Sequence, residues 1–85
     1  MSYCSVSQQP VYFVGIVVEM KEGKMWRIRC MRRLRLSMKE FFFPTVPDEN
    51  DFPLEDAVRM LSLPKRVRGV YNFADDLSSF GAALR

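Results

Sequence analysis

The chain has 85 residues and a mass of 10.0 kDa, which is enough for one small domain. Apolar residues make up 48% and charged residues 27%, so the chain can form a packed core instead of a disordered tail. Histidine is absent, and this excludes imidazole-based triads, His-ligated metal sites and ordinary haem ligation. We therefore expect a binding protein and no enzyme, with no cofactor and no metal ion.

The cysteine content and the first residues indicate the cellular setting. Cys4 and Cys30 are too few for a disulfide scaffold or for a zinc site of their own. The chain has no apolar stretch long enough for a membrane span, and residues 1–10 lack the apolar core of a signal peptide. We expect a reduced intracellular protein without membrane contact, with a flexible leader at residues 1–10 and a domain at residues 11–74.

Two neighbouring segments predict a β-hairpin. Residues 11–20 are rich in β-branched and aromatic side chains and favour a strand buried on both faces. Residues 21–24 form a polar loop that contains Gly23, as hairpin turns require. Residues 25–33 predict the returning strand, whose side chains alternate between core and solvent. The core set is Trp26, Ile28 and Cys30, and the solvent set is Arg27, Arg29 and Arg33.

The rest of the chain predicts shorter elements. After a basic connection at residues 34–38, residues 39–46 favour a third strand that the following prolines end. Residues 47–53 read as an acidic loop, and residues 54–63 as one helical turn that leads into a short strand.

Two structures are open for the C-terminal part. Residues 69–73 favour a further strand, whereas Asn72 and Asp75 fit the start of a helix. That helix would place four apolar side chains on one face, namely Phe73, Leu77, Phe80 and Leu84. Residues 75–85 are thus a tail or a short helix, whose apolar face either caps the domain or docks on a second copy to form a homodimer.

The order of these elements predicts the fold class. We expect a mainly β protein, a small antiparallel barrel of the SH3, Tudor or chromo-like kind with four to five strands and a short helical turn or C-terminal helix.

Short motifs between residues 12 and 73 occur in a recognisable order. The matching positions are Val14 with Gly15, residues 31–33, Phe41 with Phe43 and Pro44, Pro47 with Asp48, Glu55 with Asp56 and Val58, and Leu61 with Pro64. This order resembles the short C-terminal module of many proteins encoded by animal transposable elements. The resemblance implies an SH3-like barrel, an interaction role and a nuclear or chromatin setting.

A row of basic residues is one candidate site. Its members are Arg27, Arg29, Arg32, Arg33, Arg35 and Lys39. Side chains two apart on a strand face are about 6 to 7 Å apart, a spacing that suits phosphate contacts along a nucleic acid. The alternative is that these cations pair with the acidic residues from Asp48 to Asp56 and bind nothing.

The aromatic residues are the other candidate site. The ring-bearing candidates for a peptide site or a methyl-cation cage are Tyr12, Trp26, Phe41, Phe42, Phe43 and Tyr71. The alternative is that a small domain needs most of these rings in its core. We therefore expect a non-catalytic module that binds an acidic or methylated peptide, and the alternative is a nucleic-acid-binding barrel that uses the basic residues 27–35.

Overall fold

The computed structural model describes residues 2–8, 11–35, 37, 39–75 and 77. Within them the chain is mainly β, as predicted, with nine strands instead of four to five. The strands are β1 (Tyr3–Gln8), β2 (Val11–Lys21), β3 (Met25–Cys30), β4 (Arg32–Arg33), β5 (Glu40–Phe42), β6 (Glu49–Pro53), β7 (Ala57–Leu61), β8 (Lys65–Val67) and β9 (Val70–Asn72), with a 3-10 helix at Leu54–Asp56. They form two antiparallel sheets, and the strand pairing closes neither sheet into a complete barrel.

The larger sheet has five strands in the order β6-β3-β2-β1-β7. Its two edge strands, β6 and β7, are joined directly by the 3-10 helix. The first core consists of side chains from strands up to three positions apart in this sheet. Its buried members are Cys4, Val6, Val17, Ile28, Cys30 and Phe52. The Phe13 ring of β2 lies 6.1 Å from the Phe52 ring of β6, although β3 separates the two strands, which indicates that the sheet curves around this core.

Strand β1 overturns the prediction of a flexible leader at residues 1–10. Residues 3–8 lie inside the sheet, paired with β2 on one side and with β7 on the other. Cys4, Ser5 and Val6 are fully buried, and the Ser5 hydroxyl donates to the Arg59 carbonyl at 3.5 Å. The segment looked polar because its serines alternate with the two apolar residues that face the first core. Met1, Gln9 and Pro10 lie outside the described residues.

The predicted hairpin is confirmed, but the strands that follow it are arranged differently. The turn uses positive φ at Gly23 (74°) and Lys24 (59°). The strand expected at residues 25–33 divides at Met31, whose N–H donates to the Val14 carbonyl, and β4 then joins the second sheet. The strand expected at residues 39–46 is restricted to β5. The predicted acidic loop at residues 47–53 is wrong, because β6 forms there and pairs with β3.

The second sheet has the order β4-β5-β9-β8 and packs on the opposite face of β1 and β2. The second core lies between this sheet and the β1–β2 pair, and its buried members are Val14, Met31, Phe41, Phe73 and Leu77. Strand β9 confirms the strand alternative near residue 70, so Asn72 does not cap a helix. The helical turn that leads into a strand is confirmed by the 3-10 helix and β7. Phe80 and Leu84 lie outside the described residues, as does most of the predicted tail.

Gly15 provides a test of the close approach between β2 and β3. A Cβ at this position would lie 2.5 Å from the Arg29 carbonyl oxygen and 2.6 Å from Cγ2 of Ile28. We expect Gly15→Ala to lower the free energy of unfolding by about 1 to 3 kcal/mol, the usual cost of overpacking, as measured by urea denaturation. Gly23→Asn is the control, because Asn tolerates positive φ and nothing lies near that position. A wild-type midpoint for Gly15→Ala would contradict the close approach of β3 to β2.

Candidate functional site

An ionic ladder covers the solvent face of the β3–β6 pair. The register places Arg27 opposite Asp51 and Arg29 opposite Glu49. Arg27 Nε lies 3.0 Å from Glu49 Oε1, Arg27 Nη1 lies 3.2 Å from Asp51 Oδ1, and Arg29 Nη2 lies 2.7 Å from Glu49 Oε2. These contacts confirm that cations of the basic row pair with the acidic segment, and they explain why that segment is a strand.

Two further ion pairs extend the ionic ladder at its ends. Lys21 Nζ lies 3.2 Å from Asp51 Oδ2, and Arg32 Nη2 lies 3.1 Å from Asp48 Oδ2. Four cations therefore share three carboxylates, and little net charge remains on this face. The arrangement weakens the case for a phosphate site built from Arg27 and Arg29, because a phosphate would compete with carboxylates already in contact.

The ladder changes the acidity of its own carboxyl groups. Hydrogen bonds from Arg29 and then Arg27 lower the pKa of Glu49 below its ordinary value. A hydrogen bond from Lys21, with a smaller effect of Arg27, lowers the pKa of Asp51. The Glu49 carboxylate in turn raises the pKa of Arg27. The charged forms of both acids are therefore favoured in the folded protein.

The structure divides the predicted basic row between the two sheets. Arg27 and Arg29 lie on β3, whereas Arg33 lies on β4 of the second sheet. Arg35 and Lys39 flank the connection from β4 to β5, where Arg35 has positive φ (58°) and both side chains are exposed. The six residues therefore do not form one continuous patch.

The aromatic candidates are likewise separated. Trp26 packs on the first core, where the Phe13 and Phe52 rings are 6.1 Å apart. The second core instead takes Tyr12, Phe41, Phe43 and Tyr71, and Phe41 is fully buried there. Phe42 is partly buried and belongs to neither core. No single cage can include all six rings, and most of them are core, as the alternative stated.

One of the separated rings, Trp26, borders an open cleft of about 330 Å³. Its other lining residues are Ser2, Val17, Val18, Glu19, Met20 and Met60. Met20 and Met60 are 72% and 51% exposed, so the cleft offers apolar surface to solvent. Glu19 forms no ion pair with any other residue that the structure describes.

Of the seven cleft residues, sequence reasoning named only Trp26 as a site residue, and it missed Glu19, Met20 and Met60 together with Ser2, Val17 and Val18. The β2–β3 register shifts between Val17 and Glu19, which sets the position of Met20 opposite Trp26. Met60 reaches the cleft because β7 pairs with β1, where it lies opposite Cys4. A local pattern could have suggested Met20 as the hairpin partner of Trp26, but the Met60 contact depends on a pairing across more than fifty residues.

The two cysteines and the acidic residues were the other groups considered for a chemical role. Cys4 was expected on the leader and is instead buried in the first core with Cys30, and both thiols are free. Among the described residues, no group of three or more Cys, Asp or Glu side chains is arranged to hold a metal ion.

Comparison with protein-family models, with curated proteins and with solved structures found no match to this chain. A helix with the length and hydrophobicity needed to cross a membrane is not found in the described part of the chain.

The ionic ladder predicts a loss of stability in acid. Because the folded pKa values of Glu49 and Asp51 lie below their ordinary values of 4.5 and 3.8, the stabilisation is complete above those values. It is lost as the pH falls through the lowered folded values. We expect the urea midpoint to hold from pH 7 to about pH 5 and to decline below about pH 4.

The matched variants are Glu49→Gln, which removes a ladder carboxylate, and Glu22→Gln, which removes an exposed one outside the ladder. Glu49→Gln should lower the midpoint at pH 7 and flatten the acid decline, whereas Glu22→Gln should follow the wild type. Identical pH profiles for all three proteins would contradict a stabilising ladder.

The reactivity of the two cysteine thiols tests whether β1 is held in the five-stranded sheet. Burial raises the pKa of Cys4 and of Cys30 to about 11, so neither thiol is ionised at neutral pH. We expect both thiols to be unreactive towards Ellman's reagent in the folded protein at pH 7.5 and reactive in urea. In Cys30→Ala, Cys4 is the single reporter, and rapid labelling of it without urea would mean that residues 3–8 are not held in the sheet.

Proposed function

We propose that this protein is a non-catalytic protein-interaction module that binds an extended peptide and takes one cationic side chain, such as methylated lysine, into the cleft beside Trp26. The observation that carries the proposal is an apolar cleft lined by both Trp26 and Glu19, with Met20 opposite Trp26 in the β2–β3 register. A negatively charged group, a ring and flexible thioether side chains are the elements that a large, weakly hydrated cation requires.

The chemistry of the cleft distinguishes cationic from acidic ligands. An exposed aromatic face attracts a cation with about 0.5 to 2 kcal/mol, depending on how far the pair is desolvated. Glu19 adds negative charge at the cleft. It forms no ion pair with another described residue, and Arg27, which lies opposite it in the β2–β3 register, contacts Glu49 and Asp51 instead. An acidic side chain would meet repulsion from the Glu19 carboxylate, so the cleft favours the methylated-basic ligand over the acidic one.

Strand β7 supports the peptide part of the proposal. It is an edge strand whose described strand neighbour is β1, so its outer backbone groups have no described strand partner. Val58 and Met60 on this strand are each 51% exposed. An extended peptide that pairs with β7 would cover this apolar edge and bring its own side chains to the cleft through Met60.

The fold supports the same class of function. Five antiparallel strands curve around one core, and a short 3-10 helix joins the two edges of their sheet. This layout favours an elaborated small barrel of the SH3 or Tudor-like kind, to which the second sheet is added. The resemblance to transposable-element modules favours a nuclear or chromatin setting for the partner.

The test uses three peptides of one sequence that carry trimethyllysine, lysine or norleucine at the central position. Trp26 is the single tryptophan of the chain, so its fluorescence reports binding directly. We expect a saturable change that is strongest for trimethyllysine and absent for norleucine. Glu19→Gln should weaken binding about two- to fivefold, the range of a modest charge pair, whereas Glu22→Gln should not.

Equal binding of the norleucine peptide would contradict a cation site, and so would a trimethyllysine affinity that Glu19→Gln leaves unchanged. Trp26→Phe is the second variant, because it keeps a ring against the first core while changing the cleft surface. Since it lacks the single tryptophan of the chain, its binding is followed by fluorescence anisotropy of a labelled trimethyllysine peptide, and we expect weaker binding than for the wild type. Circular dichroism verifies that each variant is folded.

A further inference from the structure

Basic residues outnumber acidic residues on the second sheet. Apart from Arg32, which belongs to the ionic ladder, the second sheet and its turns carry six basic residues and one acidic residue. These are Arg33, Arg35, Lys39, Lys65, Arg66 and Arg68 against Glu40. The resulting excess of five positive charges is larger than the net charge of +3 of the whole chain, so the remainder is net negative.

Five of these cations are available to a ligand. Arg35, Lys39, Lys65, Arg66 and Arg68 are all exposed, and none forms an ion pair with another described residue. Arg66 has an aromatic contact instead, with its guanidinium carbon 5.8 Å from the centre of the Tyr71 ring. In the ionic ladder, by contrast, Arg27 and Arg29 each form an ion pair with a carboxylate.

Strand pairing places three of the free cations at one end of the second sheet. The Leu34 N–H donates to the Glu40 carbonyl, Glu40 pairs with Asn72, and Asn72 pairs with Lys65. Arg35, Lys39 and Lys65 therefore follow one another across the four strands, over a width of about 14 Å. Arg68 lies in the β8–β9 turn at the opposite end.

The outer face of this sheet presents a ring between the two groups of cations. Phe41 and Tyr71 belong to the second core, so their strand neighbours Phe42 and Val70 point away from it. On the edge strand, Val67 pairs with Val70 and is 49% exposed. Phe42, Val70 and Val67 thus form an apolar strip across the sheet. The next outward-facing row consists of Glu40, Asn72 and Lys65, and Arg68 lies at the other end.

We propose that the outer face of the second sheet binds single-stranded nucleic acid, with phosphates at Arg35, Lys39, Lys65 and Arg68 and a base stacked on Phe42. Repeated cations across about 14 Å suit a polymer with regularly spaced charges. The planar ring suits a base, since stacking is sequence-tolerant and contributes about 1 to 3 kcal/mol. An acidic protein would contact the cations but would provide no base to stack on the Phe42 ring.

The test measures fluorescence anisotropy of a labelled oligo(dT) and oligo(U) of about 12 nucleotides over a salt titration. With about 0.7 counterions released per phosphate of a single strand, four contacts give a log–log slope near −3. We expect the double variant Lys39→Gln with Lys65→Gln to reduce the slope by about 1.4. Phe42→Leu should weaken binding about tenfold without changing the slope, because it removes stacking and no charge.

Lys24→Gln is the matched control, because it removes an exposed cation on the β2–β3 turn of the other sheet. It should leave affinity and slope at wild-type values, and Glu19→Gln should do the same, which separates this surface from the cleft. The proposal is overturned by no binding at low salt, by an equal effect of Lys24→Gln and Lys65→Gln, or by polyglutamate that displaces the oligonucleotide at equal charge concentration. The last outcome would assign the surface to an acidic protein.

Discussion

The structure depends on the pairing of β1 with β2. This pair extends over six residue positions, from Tyr3 opposite Ile16 to Gln8 opposite Val11. One face of the pair contributes Cys4 and Val6 to the first core, and the opposite face contributes Tyr3 and Val14 to the second. Because both cores use the same two strands, loss of β1 would expose apolar surface on both sides at once. A chain of this length has little surface to spare, so the domain needs the pair to be complete.

The ionic ladder has a different role from the cores. Its ion pairs are partly exposed and individually weak, so they contribute less to stability than the burial of Ile28 or Phe52 beneath them. Their effect is to match β6 to β3 in one register, since a slip of one residue would place Glu49 and Asp51 on the core face. The same pairs leave the β3–β6 face nearly neutral. The charged residues that could bind a ligand therefore lie on other surfaces of the protein.

Local sequence patterns predicted the elements whose residue types directly indicate burial, exposure or a turn. The β-branched run of β2, the turn at Gly23 and the alternation around Ile28 each follow from strand geometry alone, and so does the short helical turn before β7. Strand β1 was missed because its two serines, of which only Ser5 is buried, look like those of a linker. Strand β6 was missed because acidic residues normally mark loops, and their arginine partners are about twenty residues away. The cleft was partly predictable, since Trp26 was a candidate, but Met60 reaches it only through the β7–β1 pairing.

The two proposed surfaces follow from one property of the fold. The cleft at Trp26 belongs to the curved side of the five-stranded sheet, whereas the second sheet packs on the other side of β1 and β2. The ladder removes most free charge from the β3–β6 face, so the acidic cleft and the basic sheet are not linked by a continuous charged surface. At physiological ionic strength the Debye length is about 8 Å, which is shorter than the thickness of two packed sheets. The proposed cation at Glu19 and the proposed polyanion on the second sheet are therefore expected to interfere little with each other electrostatically.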